Sequence, residues 1–146
     1  MILLVHMFFG ALIASKVKII WLACLVALFC HYLLDFIPHN EYTIESIKNQ
    51  NWNNIFTDAL KVAMDFSVGI FLIYTFSNTI QSYIVAFFSI IPDGLTVLSS
   101  IFPNKVLDAH NDFHRTKMHY FKYKKISTFW RIFSQAAVII IAIFIF

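Results

Sequence analysis

Long apolar segments are the feature of this sequence that most constrains its fold. A helix that crosses a bilayer needs about 20 predominantly apolar residues. Four segments have this character, at residues 19–37, 56–76, 80–102 and 128–146. Each is interrupted by only a few ionisable side chains. The sequence therefore predicts four membrane-spanning helices.

The composition excludes the other broad classes of protein. Hydrophobic residues make up 60% of the 146 residues and charged residues 13%, whereas soluble domains average about 45–50% and about 25%. Such hydrophobicity also excludes a disordered chain, and two cysteines are too few for a disulfide scaffold. The length allows one domain. We therefore expect an all-α integral membrane helical bundle that forms a single domain over residues 1–146.

The first apolar segment, residues 3–14, is shorter than a span and has two interpretations. A signal peptide would carry a basic start and a small-x-small cleavage site, and this segment has neither. We favour a short N-terminal helix that forms a hairpin with the helix at 19–37. The fold class is then four spanning helices plus this short helix.

The basic residues predict the orientation. By alternation, the loops at 38–55 and 103–127 lie on the same side of the membrane. That side carries most of the basic residues: Lys48, Lys105, Arg115, Lys117, Lys122, Lys124, Lys125 and, just inside a helix, Arg131. Cytoplasmic loops are enriched in Lys and Arg, so we expect this side to be cytoplasmic and to attract anionic lipid headgroups. Basic residues placed beside apolar segments do not form a solvated stripe, so we expect no nucleic-acid partner.

Ionisable residues gather in one half of the predicted bundle. An ionisable side chain within the hydrocarbon is costly and is by default a functional hypothesis. Although the chain alternates direction, all such residues lie toward the basic side: His6, His31, Asp35, His39, Asp65, Asp93, His110 and His114. We therefore expect one half-buried pocket near one membrane face.

Imidazole and carboxylate groups together suit a divalent transition metal. The pairs His31/Asp35 and His110/His114 are each four residues apart, so each can bind one ion from consecutive helical turns. The predicted ligands are His6, His31, Asp35, His39, His110 and His114, and the predicted ion is zinc or manganese. Asp65 and Asp93 either complete a second site or act in catalysis, as general base and orienting group.

Each of these residues also has a simpler interpretation. His31 would hydrogen-bond a neighbouring helix, and Asp65 would pair with Lys61 one turn earlier. Asp93 follows Pro92 and would cap a helix broken at that proline. His119 lies in the basic stretch, and we expect it to be a surface residue.

The sequence resembles a set of small bacterial inner-membrane proteins known as membrane-bound metal-dependent hydrolases. The resemblance rests on His6 with Gly10, on the string from His31 to His39, and on later motifs: Asp65 through Gly69, Pro92-Asp93 and His110 through His114. The string H-Y-L-L-D-F-I-P-H is the most specific of these. Such proteins carry Thr or Ser before the first His, where this chain has Val5. The resemblance implies a metal site in the inner membrane and a hydrolytic reaction.

Three functions of different class remain open. The first is a metal-dependent hydrolase of a lipid or lipid-linked phosphoester, since the pocket opens at headgroup level. The second is a non-catalytic membrane protein whose polar or metal cluster is structural. The third, less favoured, is an ion transporter, which would need polar groups across the full membrane and a homo-oligomer.

Overall fold

The structure, a computed structural model, describes residues 2–42, 44–48 and 54–146. Across these ranges the chain is helical, and none of their residues forms a strand. The helices are α1 (Leu3–Lys16), α2 (Ile20–Phe36), α3 (Glu45–Lys48), α4 (Ile55–Phe76), α5 (Ile80–Ile101), α6 (Lys105–Phe113) and α7 (Thr128–Ile145). A π-helical turn (His114–Met118) and a 3-10 turn (Tyr120–Tyr123) separate α6 from α7. The prediction of an all-helical fold is confirmed.

Three helices, rather than the four predicted, are long and apolar enough to span a membrane: α4, α5 and α7. The segment predicted at 19–37 forms α2, which has 17 residues. At 1.5 Å per residue it is about 26 Å long, less than the roughly 30 Å of a hydrocarbon core. The helix ends at Phe36 because Ile37 precedes Pro38 and takes extended backbone angles, as residues before proline do.

The shortest of these apolar helices, α1, lies at the centre of the bundle. It packs against α2, α4, α5 and α7. Its side chains are buried along almost the whole stretch from Val5 to Ala14. Surrounded in this way, α1 carries the imidazole of His6 into the interior and provides a surface against which the longer helices pack.

Glycines allow α1 to approach its neighbours closely. A Cβ atom at Gly10 would lie 2.9 Å from Ser89 Oγ and 3.0 Å from Ala86 Cα on α5. At Gly69 of α4 a Cβ atom would lie 2.8 Å from Met7 Sδ. Small residues at such positions bring helix backbones together. The absence of a Cβ atom at Gly10 therefore allows α5 to lie close against α1, one turn after His6.

The helix α5 is continuous through Pro92, from Ile80 to Ile101. The interpretation of Asp93 as the cap of a helix broken at Pro92 is therefore wrong. A proline removes one hydrogen bond from a helix interior, but neighbouring helices can compensate for that loss. Asp93 consequently lies on a regular helix with its side chain free to face the bundle interior.

The outer surface of the bundle is apolar. Large apolar side chains point away from the core on α2, α4, α5 and α7, among them Trp21, Leu25, Phe29, Phe71, Phe87, Phe129 and Phe144. A soluble monomer rarely exposes contiguous apolar surface of this extent. The exterior is of the kind that lipid chains cover.

Candidate metal centre

Asp35, in the last turn of α2, is the centre of a buried cluster. Its side chain is 1% exposed, and five imidazole Nε2 atoms surround its carboxylate. From Oδ2 the distances are 3.0 Å to His31, 3.0 Å to His114 and 3.3 Å to His119. From Oδ1 they are 3.2 Å to His6 and 3.9 Å to His39. The structure thus brings together imidazoles from α1, α2, the loop after α2 and the segment after α6. We call these residues, with Asp93, the His/Asp cluster.

Two groups within the cluster can hold a metal ion. The first group is His31, Asp35, Asp93 and His114, and the second group is Asp35, His39 and His119. In each group the candidate ligand atoms lie within 4.8 Å of one another. Asp93 Oδ1 is 3.9 Å from both His31 Nε2 and His114 Nε2. Asp35 belongs to both groups.

Hydrogen bonds to backbone carbonyls set the tautomers of two of these imidazoles. His31 Nδ1 lies 2.7 Å from the Ser89 carbonyl, and His39 Nδ1 lies 2.7 Å from the Ile37 carbonyl. A carbonyl oxygen can only accept, so each Nδ1 carries the proton and donates it. In the neutral rings, Nε2 then presents a lone pair to the cluster. Metal-binding histidines are oriented in the same way, by donating the other ring N–H to a carbonyl or carboxylate.

A hydroxyl orients His114 in the same sense. Thr96 Oγ1 donates to the Pro92 carbonyl at 3.2 Å and so accepts from His114 Nδ1, also at 3.2 Å. The Nε2 atoms of His31 and His114 are 3.0 Å apart. Two lone pairs at this distance repel unless a cation or proton lies between them. Ligand atoms on a tetrahedral zinc ion are about 3.3 Å apart, so the spacing fits a shared ion.

The π-helical turn accounts for the position of His119. The His119 amide donates to the His114 carbonyl at 3.2 Å, an i to i+5 bond that brings both side chains to the same side of the turn. The two ring centroids are 4.7 Å apart, and His119 is 6% exposed. The expectation that His119 is a surface residue is wrong. In a regular α-helix residues five apart point in different directions, but the π-helical turn places His119 beside His114 in the interior.

Glu41 is a member of the site that the sequence analysis missed. Its Oε1 is 2.9 Å from His39 Nε2 and 2.5 Å from His119 Nδ1. Burial alone would raise the pKa of the Glu41 carboxyl, but the contacts with His119 and His39 hold that pKa far below its usual range. Burial alone would lower the pKa of His119, but Asp35 and Glu41 raise it to about 9. The available sequence signal was an acid two residues after His39.

A face of α7 holds the loop that carries His39 and Glu41. Arg131 Nη1 donates to the His39 carbonyl at 3.2 Å, and Gln135 Nε2 donates to the Asn40 carbonyl at 2.7 Å. Ser134 Oγ donates to the Pro38 carbonyl. Three side chains on one helix face thus bind three successive carbonyls, which fixes the path of an irregular segment.

Two further predicted ligands lie in different parts of the site. His6 contacts Asp35 and stacks on His31, with ring centroids 4.1 Å apart. His110 lies farther out, where its Nε2 is 3.1 Å from the Tyr32 hydroxyl. It belongs to neither group of candidate ligands. Burial and the neighbouring imidazoles lower the pKa of His110. Of the predicted pair His110/His114, the structure therefore brings only His114 into contact with Asp35.

Asp65 lies apart from the two groups. Its carboxylate accepts hydrogen bonds from the amides of Leu3 at 2.7 Å and Leu4 at 3.4 Å, and from the Tyr42 hydroxyl at 3.2 Å. The first amides of a helix lack partners within the helix, so Asp65 caps the N-terminus of α1 inside the bundle. Lys61 bonds Asp58 at 2.9 Å. The simpler interpretation, in which Asp65 pairs with Lys61, does not describe these contacts.

A cavity of about 430 Å³ opens onto the cluster. The polar side chains that line it include Glu41, Asp93, His114 and His119, and Arg115 also lines it. The remaining wall is mainly apolar and includes Ile2, Leu3, Val62, Phe66, Ile90, Val97, Leu98 and Ile101. The cavity therefore joins a possible metal site and a cationic side chain to a surface suited to an apolar chain.

Comparison of the chain with family models, with curated proteins and with solved structures finds no match.

Proposed function

We propose that this chain is a multi-pass membrane protein that hydrolyses a lipid or lipid-linked phosphoester. In this proposal its His/Asp cluster holds a zinc or manganese ion. The single observation that carries the proposal is the cavity, whose lining combines candidate metal ligands with a mainly apolar wall. Ligand sites in proteins have this character, with a few polar groups at one place in an apolar cleft.

The proposal assigns separate roles in the reaction to the bound ion and to Asp93. A bound divalent ion supplies a Lewis acid and lowers the pKa of a water. Asp93 is the member of the first group whose side chain is partly accessible, at 24% exposed, and it is the group that accepts the water's proton. The predicted catalytic role of Asp65 is not part of the proposal, because this carboxylate caps α1.

Arg115 supports a phosphoester as the substrate. Its guanidinium is exposed and lines the cavity beside His114. Guanidinium groups bind phosphate through paired charged hydrogen bonds. The apolar wall would hold the acyl or isoprenoid chain of the same molecule.

The proposal includes a location. We assign the protein to the bacterial inner membrane, with α4, α5 and α7 as spans and α2 as a fourth, short span for which the bilayer thins. The basic loops and the cavity mouth then face the cytoplasm.

One alternative has a specific observation in its favour. The cluster joins α1, α2, α5 and the turn after α6 through a carboxylate that is 1% exposed, so a bound ion would also tie these elements together. In that case the protein is a non-catalytic membrane protein with a structural ion.

Turnover by purified protein tests the proposal. The protein in detergent micelles is loaded with Zn²⁺ or Mn²⁺ and given phosphatidic acid, an isoprenyl phosphate or water-soluble p-nitrophenyl phosphate. We expect phosphate release from a lipid substrate, loss of that activity in Asp93→Asn, and little change in Asp108→Asn, an exposed acid on α6. Bound metal without turnover of any of these probes would contradict the hydrolase and favour the structural ion.

A further inference from the structure

The carboxylate of Asp35 is shared by the two groups of candidate ligands. Its Oδ2 faces His31 and His114 at 3.0 Å each. Its Oδ1 is the oxygen nearer to His39, at 3.9 Å, whereas the other histidine of the second group, His119, lies 3.3 Å from Oδ2. The carboxylate of Asp35 therefore contacts histidines of both groups, as a carboxylate that bridges two ions does.

Each group has, within it or beside it, a contact between two atoms that are both acceptors when the imidazoles are neutral. In the first group, the Nε2 atoms of His31 and His114 are 3.0 Å apart, and both have their Nδ1 proton committed elsewhere. In the second group, His39 donates its Nδ1 proton to Ile37, yet its Nε2 is 2.9 Å from the Glu41 carboxylate. A cation or a proton between the two atoms relieves the repulsion of such lone pairs. The two contacts are separate, so one ion cannot relieve both.

The second group also has an oriented histidine. His119 directs Nδ1 to Glu41 at 2.5 Å and Nε2 to Asp35 at 3.3 Å. The ring therefore lies between two carboxylates with Nε2 toward Asp35, where it can bind an ion, and metal-binding histidines commonly have a carboxylate beside the other ring nitrogen. The loop that carries His39 and Glu41 is held in place from α7 by Arg131 and Gln135.

We propose that the centre is dinuclear: Asp35 bridges one divalent cation held by His31 and His114, with Asp93 beside it, and a second held by His39 and His119, with Glu41 against both histidines. Ions in two-metal sites are about 3.5–4 Å apart, a separation that one carboxylate spans. The inference goes beyond the proposed function, because a second ion can be bound whether or not the protein hydrolyses a phosphoester.

Metal content tests the dinuclear centre. The wild-type protein is purified in detergent, stripped with chelator, reloaded with Zn²⁺ or Mn²⁺, passed over a desalting column and measured by elemental analysis. We expect two ions per chain in the wild type and one in the double variant His39→Ala with His119→Ala. The control His110→Ala removes an imidazole outside both groups and should retain two.

The electron paramagnetic resonance spectrum of the Mn²⁺ form supplies a readout that needs no variant. Two Mn²⁺ ions bridged by a carboxylate are magnetically coupled, and their spectrum differs from that of isolated Mn²⁺. We expect the coupled spectrum in the wild type. An uncoupled spectrum, one ion or none per folded wild-type chain, or two ions in the double variant would overturn the proposal.

The outcomes separate this inference from the proposed function. Two coupled ions without turnover of a lipid phosphoester would leave the dinuclear centre standing and contradict the hydrolase. Turnover with one ion per chain would support the hydrolase and contradict the dinuclear centre. Should the double variant fail to elute as a folded species in size-exclusion chromatography, the wild-type stoichiometry and spectrum decide.

Discussion

A buried carboxylate is costly unless opposite charge or hydrogen-bond donors surround it, and five imidazole Nε2 atoms lie within 3.9 Å of the Asp35 carboxylate. Three of these imidazoles, on His31, His39 and His114, have their Nδ1 proton bonded to other groups. They offer Asp35 lone pairs rather than donors when they are neutral. Burying several imidazolium ions together would be costly as well. Bound divalent cations would resolve both problems.

Replacing Asp35 by Asn tests this reasoning, because the shape stays and the charge is lost. We expect both positions to lose affinity for Zn²⁺ and Mn²⁺ by more than the roughly 10–100-fold that loss of an outer-shell partner causes. The measurement is metal titration of the chelator-stripped protein. Asp112→Asn, at an exposed position on α6, should bind as the wild type does. Equal affinity in the two variants would show that Asp35 is not a ligand.

A second prediction for a single residue concerns Arg115 and depends on the proposed phosphoester substrate. Since its guanidinium lines the cavity, Arg115→Gln should raise KM for a lipid phosphoester about tenfold or more while metal content stays the same. Lys117→Gln removes the same charge from an exposed position in the same turn and serves as the control. An equal effect of both changes would mean that only the general positive charge of this surface matters.

Among the elements, α7 acts on the site without contributing a ligand. Arg131 donates to the carbonyls of His39, Phe121 and Lys124 at 3.1–3.2 Å. It therefore ties the loop after α2 to the segment after the π-helical turn, and these two segments carry His39 and His119. The helix is a positioning element for the second group.

The change Arg131→Lys keeps the charge but loses the fork of donors. We expect faster hydrogen exchange in residues 37–42 and weaker binding at the second metal position, by about tenfold, with the first position little affected. Lys125→Arg, at an exposed position in the adjacent loop, is the charge-conserving control. Unchanged exchange in residues 37–42 would show that Ser134 and Gln135 hold the loop without Arg131.

Helix packing gives a second prediction at the scale of elements. A Cβ atom at Gly10 would approach the α5 backbone at Ala86 Cα to 3.0 Å, whereas a Cβ atom at Gly94 meets nothing within 4 Å. Overpacking of this kind typically costs about 1–3 kcal/mol. Gly10→Ala should therefore lower the Tm in detergent, and Gly94→Ala should leave it unchanged or raise it slightly, because alanine favours helix. A Tm for Gly10→Ala equal to the wild-type value would show that α1 and α5 adjust freely.

At the scale of the whole molecule, the bundle is built around its shortest apolar helix. The N-terminus of α1 lies inside the protein, where Asp65 from α4 accepts its amides, and longer helices with apolar outer faces surround it. The result is a membrane-type exterior around a polar half-interior that contains the cluster.

Because the cluster joins several elements, bound ions should stabilise the whole fold. Saturation at 100 times the Kd adds about 2.7 kcal/mol per site when only the folded state binds. Zn²⁺ or Mn²⁺ should therefore raise the Tm in detergent, and chelator should reverse the rise. Asp35→Asn should not respond, whereas Asp112→Asn should respond fully. A Tm that is independent of metal in the wild type would contradict a specific site.

Much of the fold could be predicted from the sequence, because helix formation and apolar character are local properties. The segments at 56–76, 80–102 and 128–146 appear as helices within a residue or two of their predicted ends. The segment at 19–37 appears as α2 within one residue of each predicted end, but its 17 residues are too few for it to count among the helices long enough to span a membrane. His31, Asp35, His114 and Asp93 could be placed together because ionisable residues in an apolar chain must converge on one polar region.

The sequence by itself determined an all-helical, largely apolar chain with one polar half, because periodicity, prolines and hydrophobicity act over neighbouring residues. The tertiary structure alone decided which groups meet. Glu41 and His119 reach the cluster through a loop held by α7 and through a π-helical turn, and Asp65 is directed to the N-terminus of α1. These outcomes depend on the packing of distant helices and on the path of irregular backbone, neither of which leaves a periodic pattern in the sequence.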